Sequence, residues 1–122
     1  MKTTPIDQSF DFHQGKKKLV VLPSQIIRLE AISNYTRVYF IHHPPILMAC
    51  VLKTYDKLLS PFGFIRTHRT HLVNSEYIEA MDNLNSLRLK DESRAEISRR
   101  KRKMVRSLFS KNAIPFPQHL SA

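Results

Sequence analysis

The sequence predicts a mainly β domain of short antiparallel strands, with one short central helix and a basic helix near the C-terminus. Two patterns carry that expectation. From Leu19 to Ile97 the chain runs in short blocks rich in β-branched and aromatic residues, divided by Pro, Ser, Asn and Asp, as strands and turns require. Only at Leu52–Leu59 and after Ser98 does the apolar spacing lengthen to three or four residues, the period of a helix.

The elements follow in order. Residues 1–15 show no usable periodicity and read as a flexible leader. Leu19-Val20-Val21-Leu22 is a short β-prone run stopped by Pro23, and Gln25–Ile32 is a second strand. Ser33-Asn34-Tyr35 is a turn, since Ser and Asn bond their own backbone, and Thr36–Ile41 is a third strand. His42-His43-Pro44-Pro45 breaks the chain before a fourth strand over Ile46–Val51, so strands three and four form a hairpin. Leu52, Tyr55, Leu58 and Leu59 form one face of the short helix. It ends near Ser60-Pro61, because the residue before a proline avoids helix. Phe64–Arg66 and His68–Asn74 are extended, and Ile78–Met81, Ser86–Lys90 and Arg94–Ile97 are the last strands. Ser98 stands where a helix N-cap is expected, and Met104, Val105, Leu108 and Phe109 form one apolar face. Prolines 115 and 117 follow the helix. The domain is expected over residues 16–112, with residues 113–122 as a tail.

Charge narrows the function. Twenty Lys and Arg against ten Asp and Glu give a net charge of +10, which argues for a polyanionic partner. Between Arg94 and Lys111 eight cations face one acid, Glu96, so this one segment holds a net +7. Five of the cations, Arg99–Lys103, are consecutive at the start of the predicted helix. That placement opposes the helix dipole and makes sense where a phosphate docks. A solvated basic tail is the plainer alternative.

Other chemistries find little support. Gly15 and Gly63 are the only glycines and are isolated, so no phosphate-cradling loop exists. Cys50 is the single cysteine, in an apolar run, and reads as a buried inert thiol. No apolar stretch reaches membrane-spanning length and the N-terminus lacks a signal-peptide core, so a cytoplasmic protein is expected. His68 and His71 are three apart, which on a continuous strand puts them on opposite faces. No metal site and no cofactor are therefore expected. Arg66-Thr67-His68-Arg69-Thr70-His71, by contrast, alternates donors along an extended segment. Arg grips guanine O6 and N7 in bidentate fashion, and His, Thr and Asn reach other base edges or phosphates.

Four motifs, in order, give the chain its likeness to a known family. They are Ile27-Arg28-Leu29-Glu30-Ala31 running into Asn34-Tyr35-Thr36-Arg37-Val38; the short helix Leu52–Leu59; Phe64-Ile65-Arg66-Thr67-His68-Arg69-Thr70-His71-Leu72-Val73-Asn74; and Ile97-Ser98-Arg99-Arg100 with its basic helix. Over about residues 17–110 the chain resembles the LytTR DNA-binding family. The resemblance implies an elongated fold of small antiparallel sheets. It also implies a transcription regulator that inserts loops into the major groove of double-stranded DNA, two copies on direct-repeat half-sites. The positions it matches make Asn34, Thr36, Arg69 and Arg99 the base-contact candidates, and Arg37, His68, Arg100, Arg102 and Lys103 the phosphate contacts. Many members of the family carry a receiver domain ahead of this one; here only a polar leader precedes it, and no sensor kinase is specified. Two other readings compete. One is a basic RNA-binding module that stacks bases on Tyr35, Tyr39 or Phe40. The other is an enzyme, a phosphodiesterase using His68 and His71.

Overall fold

The computed structural model describes residues 8–110. Its centre is an antiparallel five-stranded sheet in the order β5-β4-β3-β7-β6. The strands are β3 (Ile26–Ile32), β4 (Tyr35–Phe40), β5 (Ile46–Met48), β6 (Phe64–His68) and β7 (His71–Asn74). A hairpin of β1 (Phe10–Gln14) and β2 (Lys17–Val21) and a three-stranded sheet of β8 (Ile78–Asn83), β9 (Ser86–Leu89) and β10 (Arg94–Glu96) complete the β-structure. Two helices, α1 (Leu52–Leu59) and α2 (Arg102–Ser110), join them.

The central sheet is covered on both faces, and its sequence shows why. Side chains alternate between faces along a strand, and here both sets are apolar. Phe64 and Leu72 enter one core, with α1 and the β1–β2 hairpin, while Ile65 and Val73 enter the other, with the three-stranded sheet and α2. The expected mainly β architecture with three small antiparallel sheets and two short helices is thus present.

One expectation is overturned. Residues 10–14 are a strand, not part of a flexible leader, pairing Phe10 with Val21 and Phe12 with Leu19. Phe12 is only 2% exposed and lies between Phe40 and Tyr55, with ring centroids at 5.4 and 6.0 Å. The hairpin turns on Gly15, whose φ of +64° is left-handed, a conformation that Gly adopts without steric cost. The expected tail, residues 113–122, lies outside the described residues.

Smaller differences have local causes. In α1, Leu52, Tyr55 and Leu59 are buried while Leu58 is exposed, because Leu58 is rotated off the stripe that the other three share. The fourth strand ends at Met48, and Cys50 sits half-buried in the bend before α1. Its carbonyl accepts the Thr36 hydroxyl at 2.6 Å.

Asn74 pins the far end of β7. Its Nδ2 donates to the carbonyls of Ile26 at 2.9 Å and Pro23 at 3.3 Å, and its Oδ1 accepts the Glu76 amide at 3.0 Å. Asn74→Ala is expected to cost about 1–3 kcal/mol, the penalty for leaving buried polar groups unpaired. Asn74→Asp should cost more, since a carboxylate turns acceptor toward two carbonyls. Urea titrations with an unchanged m-value would measure both.

Candidate nucleic-acid interface

The site is built around the two-residue loop Arg69-Thr70 between β6 and β7. His68 is paired directly with His71 across it, and a register irregularity between Arg66 and His68 lets the strands close so tightly. Arg69 is exposed at the tip. Its own backbone is not free: the Arg66 guanidinium donates from Nη2 to the Arg69 carbonyl at 2.8 Å and from Nε to the His68 carbonyl at 3.1 Å. Arg66 is held in turn by Asp56 of α1 at 3.3 Å. The fork of a guanidinium suits this two-point grip. The Arg69 side chain is therefore presented from a clamped backbone, which limits the entropy lost on binding.

Thr67, fully buried, ties this loop to the basic segment. Its Oγ1 donates to the Glu96 carbonyl at 2.8 Å, and its carbonyl accepts the Ser98 amide at 2.8 Å. Ser98 stands at the N-terminus of a 3-10 turn, Arg99–Lys101, whose backbone leads into α2. The expected N-cap position is occupied, although the Ser98 side chain makes no capping bond and the Lys101 amide donates to its carbonyl instead. The β3–β4 turn lies at the same end of the central sheet. Glu30 pairs with His71, and the Ala31 amide donates to the Thr70 carbonyl at 2.9 Å, so the end of β3 runs beside the start of β7 and the loop that precedes it. Asn34 is exposed in that turn, next to Ser33 with its positive φ of 57°.

The candidate residues divide accordingly. Asn34, Arg69 and Arg99 are exposed on three segments at one end of the molecule. Thr36 is not among them: it is 0% exposed and its hydroxyl is spent on the Cys50 carbonyl. It faces inward because β4 alternates, with Thr36, Val38 and Phe40 buried and Arg37 half-buried between them. Arg100 and Lys103 are exposed, whereas Arg102 folds back so that its Nη2 bonds the Asn85 side chain and its Nε is buried. His68 uses both ring nitrogens within the protein, Nδ1 toward Thr70 and Nε2 toward Glu96 at 3.4 Å. Nδ1 holds the loop, and Nε2 would have to leave Glu96 to meet a phosphate.

The two histidines also correct the expectation that they lie apart. Because β6 ends at His68 and β7 begins at His71, their rings meet edge to face with centroids 6.0 Å apart. The Thr70 hydroxyl lies between their Nδ1 atoms, at 2.7 Å from His68 and 2.9 Å from His71. Burial holds the His71 pKa below the usual histidine value, against the opposing pull of Glu30, whose Oε2 is 3.9 Å from Nε2. Together with the Glu96 carboxylate, the two rings offer three ligand atoms within 4.8 Å of one another. The loop roles of Arg66, Thr67, Thr70 and Glu96 were not evident in the sequence, since each depends on contacts made through the fold.

Small antiparallel sheets that bring cationic segments to one end define a β-rich nucleic-acid-binding domain. Residues 16–110 match the LytTr DNA-binding domain, and the chain belongs to that family. The family is a DNA-binding domain of transcription regulators and not a catalytic one. Among solved structures, the chain is similar to the LytTr DNA-binding domain of a putative methyl-accepting/DNA response regulator from Bacillus cereus. The TM-score is 0.70 at 24% identity, covering 83% of this chain and 95% of that one. No curated protein matches at a significant level. Among the described residues no helix is long and apolar enough to cross a membrane.

Proposed function

We propose that this domain regulates transcription by sequence-specific binding to double-stranded DNA, placing its loops in the major groove and binding as two copies on direct-repeat half-sites. The observation that carries this reading is the convergence of Asn34, Arg69 and Arg99 at one end of a rigid sheet, with the Arg69 and Arg99 segments locked together through Thr67. Asn34, Arg69 and Arg99 read bases. Arg37, Arg100 and Lys103 hold phosphates, which position the protein without specifying sequence. Arg102 contributes charge from its place beside Asn85.

The RNA-binding alternative is weaker. Phe40 is buried, Tyr39 is half-buried beneath the Arg28 guanidinium at 3.8 Å, and only Tyr35 is exposed. A stacking surface needs several exposed rings.

Arg69 provides the test. Arg69→Ala is expected to cost about 1–3 kcal/mol at the specific site, relax preference at one base pair, and lower non-specific affinity by the worth of a single charge. Arg69→Lys should restore affinity more than specificity, because an ammonium does not copy the bidentate fork. Binding-site selection on the wild type and both variants measures this. Three identical logos of equal stringency would remove Arg69 from the reading set. Competition by single-stranded RNA in excess of a specific duplex would replace the DNA reading altogether.

A further inference from the structure

We propose that His68, His71 and Glu96 form a binding site for a transition-metal dication of the zinc type. The three residues come from two sheets. His68 and His71 flank the Arg69-Thr70 loop of the central sheet, and Glu96 ends β10 of the smaller one. Imidazole nitrogen and carboxylate oxygen are the donors that zinc takes in sites with three protein ligands, which leave a fourth position to water.

The spacing suits the ion. A tetrahedral ion with bonds of about 2.0–2.1 Å sets its ligand atoms roughly 3.3 Å apart. His68 Nε2 and Glu96 Oε1 are already 3.4 Å apart. One ligand atom from each residue lies within 4.8 Å of the others, so closing to tetrahedral spacing requires the half-buried His68 ring to turn toward buried His71, with the Glu96 side chain, 66% exposed, following it. The surroundings supply the support that metal-bound histidines need on their other nitrogen. Thr70 Oγ1 stands within hydrogen-bond reach of Nδ1 of both rings, and its two lone pairs can accept both N–H groups at once. That arrangement places the protons on Nδ1 and bares both Nε2 atoms. It gives up the 3.2 Å bond from the Thr70 amide to His68 Nδ1, a long bond exchanged for two metal bonds. His71 is almost wholly buried and Glu30 lies just beyond it, with Oε2 at 3.9 Å from Nε2.

Such an ion would bridge the loop that carries Arg69 to the strand that leads into Arg99. It would stiffen a junction that is otherwise held by Thr67 alone among the described hydrogen bonds from β6 to this segment.

The test uses the purified protein without DNA, so it succeeds or fails independently of the DNA-binding reading. Zinc is titrated into chelator-treated protein by calorimetry, and cobalt(II) is used in parallel for its visible absorption at a four-coordinate site. The expected result is one equivalent bound per chain. His71→Gln and Glu96→Gln should each weaken binding by more than about tenfold, the scale reached even by outer-shell losses. A His42→Ala/His43→Ala variant should bind as the wild type does, because exposed His42 and half-buried His43 both lie outside the cluster. Glu96→Gln alters an exposed side chain and keeps the fold, so it decides the matter where His71→Gln does not fold. Absence of zinc binding at micromolar protein, or binding untouched by Glu96→Gln, overturns the site.

Discussion

Leu72→Ala is expected to remove about 2–5 kcal/mol of stability, the range for truncating a buried leucine where the surroundings cannot collapse. Leu72 is 0% exposed on β7 and packs in the core beneath α1. It is paired with Leu29 on one side and Arg66 on the other. The backbone bonds of these pairs fix the strand, so a cavity left by the missing methyl groups has little freedom to close. Domains of this size are stable by only about 5–15 kcal/mol, and the loss would take a large part of that. Equilibrium urea unfolding measures it. The effect should extend to DNA binding, since Leu72 lies between Arg66, which clamps the loop, and the strand that carries Glu30. A loss under about 1 kcal/mol would mean that the β7 region repacks easily, against the close packing expected of an interior.

How far the sequence disclosed this molecule depends on whether a feature is local. The strands β3, β4 and β9 and both helices were legible because their side-chain period is expressed within each segment. Phe10–Gln14 was not, since it offers only Phe10 and Phe12 as apolar residues and its partner strand begins with Lys17-Lys18. The partner that buries Phe12 includes Tyr55, more than forty residues away. Thr36 shows the opposite failure. Its position in the family motif suggested a base contact, whereas in the structure Thr36 alternates with Val38 and Phe40 on the inward face of β4. For His68 and His71, reasoning from a continuous strand separated two residues that a turn brings into edge-to-face contact. Arg69-Thr70 contains no glycine, asparagine or proline to announce that turn. It is made instead by the irregular register at β6 and by the grip of Arg66 on the loop carbonyls. The basic block was visible as charge, but not the division of labour within it, in which Arg102 turns back to Asn85 while Arg99, Arg100 and Lys103 stay exposed.

That division sets the salt dependence of DNA binding, the largest effect expected. A cation already paired to a carboxylate releases fewer counterions when it meets a phosphate than one that is free. Arg28, Arg66, Arg88 and Arg94 are each paired to an acid. Arg69, Arg99, Arg100 and Lys103 are exposed and make no ion pair among the described residues. Together with half-buried Arg37, Lys101 and Arg106, these cations are expected to neutralise between about four and eight phosphates, each lowering the slope of log K against log salt by about 0.9. The expected slope is therefore roughly −4 to −7, so that affinity falls by about two to four orders of magnitude between 50 and 200 mM salt. Lys103→Ala should flatten the slope by about 0.9 and weaken binding to every DNA sequence alike. Its side chain is exposed, so stability should change little. Arg102→Ala should act differently: it removes the bond to Asn85 at the β8–β9 turn, so stability falls while the slope moves less. Fluorescence anisotropy across a salt series, on a specific and an unrelated duplex, yields the slopes, and thermal melts separate the two variants. An affinity that holds steady over that salt range would mean that the net charge of +10 serves something other than phosphate contact. A Lys103→Ala loss confined to one base position would make that residue a reader of sequence and not a phosphate anchor.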